Sequence, residues 1–127
     1  MGRNDLYKAY KQQSVMSMTP GEMLTTLYDA ALKNLELAKI AFDKNNISQI
    51  NKSLQKVQEI FHYMKNTLDF KYEISQNLGA LYDFFIETAL QANMKKDPSK
   101  LDDLISLITD LRDTYKDADK KVRTNNV

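Results

Sequence analysis

The sequence predicts an all-α protein that folds as an antiparallel up-and-down four-helix bundle. An N-terminal segment, which could form a short helix, packs against the bundle. Glycine occurs three times and proline twice in 127 residues, which is too few for a fold with many tight turns. Apolar residues recur at alternating spacings of three and four in four segments, as in amphipathic helices. Short connections separate the segments, so successive helices should be antiparallel neighbours.

The first predicted helix begins after Thr19, a residue type that caps helix N-termini. Glu22, three residues later, completes a capping box, and Pro20 stands at the first helical position, where its missing N–H costs nothing. Residues 43–46 form a polar turn that ends this helix. Its apolar stripe consists of Leu24, Tyr28, Ala31, Leu35, Ala38 and Phe42.

The second predicted helix follows Asn46, its expected cap, and ends before a weakly marked connection at residues 70–72. The third carries Gly79, which costs about 1 kcal/mol relative to alanine and would permit a close approach by a neighbour. The two stripes are Ile47, Ile50, Leu54, Val57, Phe61, Met64 and Leu68, and then Ile74, Leu78, Leu81, Phe85, Ala89 and Ala92.

The fourth predicted helix opens at Asp97 and Pro98, with Asp97 as cap and Pro98 at the first position. Its stripe consists of Leu101, Leu104, Ile108, Leu111, Tyr115, Ala118 and Val122. The predicted organisation is therefore an N-terminal segment over residues 1–18, which is a candidate groove cover, a bundle domain over residues 19–123 and a flexible tail over residues 124–127.

Composition excludes several classes of function. The chain has no cysteine, which rules out disulfides and thiolate sites. Its formal net charge is +1, with 18 basic residues interleaved with 17 acidic ones, whereas nucleic-acid binders concentrate basic charge on one face. No apolar run approaches the roughly 20 residues of a membrane span, and the N-terminus lacks a signal pattern. We expect a cytoplasmic protein that neither binds nucleic acid nor inserts into membranes.

Catalytic and cofactor chemistry is also not expected. His62 is the only histidine, and with Glu59 it matches one Glu-x-x-His motif, whereas a di-iron bundle needs two such motifs and two further carboxylates. No nucleophile elbow, phosphate-binding loop or dinucleotide fingerprint is present. We therefore predict no enzyme, no metal and no cofactor, with His62 on a helix surface.

Apolar residues exceed what a bare bundle needs. Five of the six residues 81–86 are apolar or aromatic, more than one core stripe uses, and the first helix adds Leu32, Leu37 and Ile40 beside its stripe. A partner groove on these flanks, a cover formed by the N-terminal segment and homodimerisation are all open alternatives. The predicted partner-binding residues are Tyr7, Tyr10, Val15, Met16, Leu24, Leu27, Tyr28, Leu32, Leu81, Tyr82, Phe84, Phe85 and Ile86.

Three sequence blocks spread over the chain resemble those of the FliS family, the flagellin-specific export chaperones of bacteria. The chain departs from the family pattern in three places. Ala30 stands where the family often has glycine, Tyr115 stands where it often has tryptophan, and residues 70–72 replace its glycine-rich turn. The blocks comprise Asn4, Tyr7, Tyr10, Val15, residues 19–22, Leu24 and residues 27–29; Leu68, Asp69, Ile74, Asn77, Leu78, Leu81, Tyr82, Ala92 and Asn93; and residues 111–115.

The resemblance implies a cytoplasmic chaperone for newly made flagellin. Such a protein captures the C-terminal segment of flagellin, which is disordered when free, and so prevents premature polymerisation. The resemblance also implies delivery to the flagellar export gate and contacts with other flagellar regulators. It implies no bound nucleotide or metal. A helical adaptor or regulatory protein that binds a different partner is the alternative function, because the same groove would serve it.

Overall fold

The computed structural model describes residues 18–125, except for the side chains of residue 119 and residues 121–125. This part of the chain contains four helices and no strand: α1 (Pro20–Asp43), α2 (Ile47–Asn66), α3 (Glu73–Lys95) and α4 (Leu101–Asn125). The predicted all-α four-helix bundle is confirmed. The predicted packing of the N-terminal segment concerns residues that lie almost wholly outside the described range.

The beginnings of α1 and α2 follow from local sequence. The hydroxyl of Thr19 accepts a hydrogen bond from the Glu22 N–H at 3.1 Å, ahead of Pro20. The side-chain oxygen of Asn46 accepts one from the Gln49 N–H, also at 3.1 Å. Each cap satisfies a backbone donor that has no partner within the helix. Both caps lie where the sequence predicted them.

The beginning of α4 differs from the prediction. Lys96 takes a left-handed conformation with φ of 50°, which ends α3, and its ammonium group donates to Asn51 and Asn93. The carboxylate of Asp97 then accepts the Ser99 N–H at 2.9 Å and closes a turn. The helix consequently starts at Leu101, so placing the cap at Asp97 and the first helical position at the next residue was wrong.

The glycine in α3 accommodates the connection from α2. A methyl group built at Gly79 would lie 2.8 Å from the edge of the Phe70 ring, which is closer than carbon atoms approach without displacement. The connection therefore folds back on α3, and the close approach expected at this glycine is present.

Ion pairs reveal the direction in which neighbouring helices run. Asp29 and Arg112 are 3.0 Å apart, and Lys39 and Asp102 are 2.7 Å apart. Moving ten residues forward along α1 thus corresponds to moving ten residues back along α4, so these helices are antiparallel. Such exposed pairs contribute at most about 1 kcal/mol each, and the apolar core between the helices supplies most of the stability.

An aromatic cluster occupies the centre of the core. The ring of Phe61 lies 5.0 Å from that of Phe85, 5.5 Å from that of Tyr82 and 6.5 Å from that of Tyr28, measured between centroids. The hydroxyls of Tyr28 and Tyr82 are hydrogen-bonded at 2.6 Å. Burial raises the pKa of both phenols above the usual value, so both remain neutral and each serves as a hydrogen-bond partner for the other.

We expect Tyr28→Phe and Tyr82→Phe to destabilise the protein individually by about 1–3 kcal/mol, because each leaves a buried hydroxyl without its partner. The double variant should lose much less than the sum of the two losses. Urea unfolding of the three variants gives this coupling directly. Tyr63→Phe, at an exposed tyrosine, is the control and should change stability by about 0.5 kcal/mol or less. Additive losses would contradict the coupling.

Candidate partner-binding groove

The bundle is open along one side. Helix α1 packs closely against α2 and α4, and α2 packs closely against α3, whereas α3 and α4 touch at few points. The antiparallel pair α3 and α4 is therefore separated by a long groove, which has two wider parts.

The upper groove lies near the connection between α3 and α4 and has a volume of about 680 Å³. The side chains of Phe84 and Leu107 stand on its two sides and are 52% and 44% exposed. Ala92 and Leu104, both buried, belong to its floor. This half of the groove thus combines apolar surface that water can reach with charged side chains on its rim.

The lower groove lies at the opposite end of the same two helices and has a volume of about 430 Å³. Its lining is predominantly apolar, and burial raises the pKa of the Tyr115 phenol on its α4 side. The residues that line it are Ile74, Asn77, Leu78 and Leu81 from α3, and Leu111, Thr114, Tyr115 and Ala118 from α4.

Charged groups on the rim of the upper groove differ from one end to the other. Lys95, Asp97 and Lys100 lie beside the α3–α4 connection, and Glu87 and Asp103 lie further along. The backbone N–H of Ser99 is the main cause of the lowered pKa of Asp97, and the two lysines add to it. The Glu87 carboxylate accepts a hydrogen bond from the neighbouring Gln91 at 2.9 Å.

The predicted site residues fall into four groups in the structure. Phe84 lies in the upper groove and Leu81, partly buried, in the lower one. Leu24, Leu27 and Leu32 are partly buried on α1 and pack against the core. Ile86 is 9% exposed and belongs to the core. Tyr7, Tyr10, Val15 and Met16 lie outside the described residues.

Three more of the predicted contact residues belong to the core group together with Ile86. Tyr28, Tyr82 and Phe85 are all 0% exposed, because their rings fill the centre of the bundle around Phe61. In this structure they offer a partner no surface, which corrects the expectation that they line a groove. Their place is beneath the groove, where they hold α1 and α3 in position.

The open surface also lies between a different pair of helices from the one suggested by the surplus apolar residues. Those residues are on α1 and α3, but α3 shares its groove with α4. Leu107 on the α4 side was missed, although it lies three residues after Leu104 and four before Leu111, both in the main stripe. A leucine at this spacing on the flank of the stripe was the available signal.

Among residues 18–125 there is no group of three or more histidine, cysteine, aspartate or glutamate side chains placed to hold a metal ion. His62 is exposed on α2, as the sequence indicated. No helix in this part of the chain is both long and apolar enough to cross a membrane.

An apolar groove that lies open between two helices of a bundle is the kind of surface on which an amphipathic helix can dock. Comparison with known proteins identifies the family. The family described as "Flagellar protein FliS" matches residues 3–122 of the chain. The chain belongs to the FliS family.

Its relatives include three proteins named "Flagellar secretion chaperone FliS". The one from Bacillus subtilis (strain 168) is 38% identical over 112 residues, which cover 88% of this chain and 84% of the relative. The one from Vibrio cholerae is 32% identical over 114 residues, or 85% and 84% of the two chains. The one from Salmonella typhimurium is 30% identical over 121 residues, or 90% of each. Chaperones of this family are not enzymes, which confirms the expected class.

Proposed function

We propose that this protein is a cytoplasmic flagellar secretion chaperone that binds the C-terminal region of flagellin in the groove between α3 and α4. In this function it keeps flagellin from polymerising prematurely and assists its export, with the export gate and other flagellar regulators as further partners. The observation that carries the proposal is the open apolar groove, which runs along both helices of a FliS-family bundle.

Helix-in-groove docking is the binding mode that fits these surfaces. An amphipathic helix places residues at i, i+3, i+4 and i+7 into an apolar groove, and Phe84 and Leu107 are exposed to receive them. A tail that is disordered when free loses conformational entropy on binding, so useful affinity requires a long contact. The upper and lower grooves together offer such a length.

A calorimetric titration with a synthetic C-terminal flagellin peptide tests the proposal. Saturable binding is expected, with a negative heat-capacity change because apolar surface is buried. A scrambled peptide of the same composition is the control. Binding with a free energy of about −8 kcal/mol would be nearly saturated at tens of micromolar protein. If no saturable binding occurs at such concentrations, the proposed function is wrong.

The N-terminal segment is a further part of the proposal, as a cover that flagellin displaces. Helix α1 begins at Pro20, at the end of the bundle where α3 begins and α4 ends, and the lower groove lies at that end. At about 3.3 Å per extended residue, a few residues of the segment are enough to reach it. Occupation by the segment would lower the apparent affinity for flagellin in proportion to the covered fraction.

Deletion of residues 1–17 should leave a folded protein that binds the flagellin peptide as tightly as the full chain or more tightly, because a competitor has been removed. Circular dichroism checks the fold, and calorimetry measures the dissociation constant. Loss of binding by a folded deletion variant would instead identify the segment as a direct contact of flagellin.

A further inference from the structure

Helices α1 and α3 end in the same backbone arrangement. In each, the N–H of a left-handed residue and the N–H of the residue after it donate to carbonyls in the last turn of the helix, which is a common helix ending. The left-handed residues are Asn45, with φ of 54°, and Lys96, with φ of 50°. Glycine or asparagine is usual at this position, because other side chains are crowded by the backbone. Asn45 follows that rule, whereas the lysine at the end of α3 does not.

The ammonium group of Lys96 contacts three oxygen atoms on two helices. On α3 it donates to the side-chain oxygen of Asn93 at 2.6 Å and to the carbonyl oxygen of the same residue at 2.7 Å. On α2 it donates to the side-chain oxygen of Asn51. Each of its three N–H groups thus has an acceptor. Because hydrogen bonds with a charged donor are stronger than neutral ones, these contacts offset the unfavourable backbone conformation.

The end of the upper groove lies next to these contacts. Lys95 and Asp97, the residues on either side of Lys96, both line the groove. Helices α3 and α4 touch at few points, so their own packing does not set the distance between them. The first turn of α4 is held to α1 by the pair of Lys39 and Asp102 at 2.7 Å. The ammonium group attaches the last turn of α3 to α2, and the groove lies between these two attachments.

We infer that Lys96 is a positioning residue, whose ammonium group holds the last turn of α3 against α2 and so keeps the upper groove at its width. Lys96 is half-buried and is not one of the residues that line the groove, so it acts through the backbone of the α3–α4 connection. The inference rests on the proposed function and adds a residue outside the groove on which affinity depends. A groove that is already shaped in the free protein need not be ordered on binding.

Chemical replacement of the lysine side chain tests the inference. The chain contains no cysteine, so Lys96→Cys introduces a single thiol that can be alkylated selectively. Bromoethylamine, whose bromide the thiolate displaces, gives an aminoethyl form with a side chain of lysine's length that ends in an ammonium group. Iodopropane gives a propyl form of the same length that ends in a methyl group. The two forms therefore differ only in the group that contacts Asn51 and Asn93.

Hydrogen exchange followed by mass spectrometry measures how firmly the end of α3 is held. The amides of residues 96–104 should exchange on the order of ten-fold faster in the propyl form than in the wild-type protein, because hydrogen bonds to a charged group are lost. The aminoethyl form should return close to the wild-type rate. The flagellin peptide should bind the propyl form about three-fold more weakly or worse, because the groove is correctly shaped in a smaller fraction of molecules. The aminoethyl form should bind it like the wild-type protein.

Lys44 provides the control for a positive charge at a helix end. A cation near a helix C-terminus is stabilising through the helix dipole alone, without any contact to a second helix. Lys44 is exposed at the end of α1 and directly precedes the left-handed Asn45. The propyl and aminoethyl forms of Lys44→Cys should differ by only about two-fold in exchange at the end of α1, and they should bind the flagellin peptide alike.

Equal exchange and equal affinity of the two forms of Lys96→Cys would overturn the inference. Equally large differences between the two forms of Lys44→Cys would assign the effect to helix-end charge and would also overturn it. Faster exchange in the propyl form with unchanged affinity for the flagellin peptide would make Lys96 a structural contact and refute its positioning role, while the proposed function stands. Failure of the wild-type protein to bind the peptide is a different result, which would refute the proposed function and with it the inference.

Discussion

Replacing Phe84 and Leu107 together by glutamate should weaken binding of the flagellin peptide at least about 100-fold. Both side chains line the upper groove and are about half exposed in the free protein. Burying the exposed part of such a side chain contributes about 1–2 kcal/mol, and a carboxylate in its place must lose water without gaining a partner. The two losses of binding free energy add, so their effects on the dissociation constant multiply. Calorimetry or fluorescence anisotropy measures this constant.

The control for this variant replaces two apolar side chains of similar exposure elsewhere. Ile40 on α1 is 49% exposed and Tyr63 on α2 is 51% exposed, and neither lines the upper or the lower groove. Ile40→Glu/Tyr63→Glu introduces the same charge and should leave binding within a factor of about three, a difference of less than 1 kcal/mol. Equal losses in the two double variants would show that binding does not depend on the groove.

The substitution Phe61→Ala should have the largest effect on stability. Phe61 is 0% exposed and its ring contacts three other aromatic rings. Removing a buried phenylalanine ring costs about 3–5 kcal/mol, a large part of the roughly 5–15 kcal/mol that holds a domain folded. For a chain of 127 residues this corresponds to a fall in melting temperature of about 10–20 °C, measurable by circular dichroism.

Phe84→Ala is the matched control, since it makes the same chemical change at an exposed position. It should lower the free energy of unfolding by about 1 kcal/mol or less and yet weaken binding of the flagellin peptide. The main effect of Phe61→Ala should instead be the loss of stability. A similar loss of stability in both variants would contradict the separate positions of the two rings in the core and the groove.

The four helices could be predicted because their signals are local. The caps at Thr19 and Asn46 need only the residues next to them, and the apolar stripes repeat with the period of the helix. The start of α4 could not be predicted in the same way. Asp97 followed by proline is a good helix opening by sequence, but the left-handed Lys96, held by oxygens from α2 and α3, turns the chain so that Asp97 closes a separate turn.

The groove was predictable only in part. Surplus apolar residues indicated that some helix flank was left uncovered, and Phe84, one of the predicted partner-binding residues, lies exposed in the upper groove. Periodicity gives the direction of each side chain about its own helix, but not which pair of helices stands apart. Tyr82 and Phe85 were therefore included among the partner-binding residues although they fill the core, and Leu107 was overlooked on a helix with no other sign of a site.

The unequal packing of α4 has a consequence for its dynamics. This helix has one close neighbour, α1, and little support from α3, so its backbone amides should exchange with deuterium sooner than those of α2, which is held on both sides. A helix bound in the groove would supply the missing neighbour and slow that exchange. At a free ligand concentration 100 times the dissociation constant, binding also adds about 2.7 kcal/mol to stability. The loaded chaperone would then resist heat and proteases better than the empty one, and α4 would report which of the two is present.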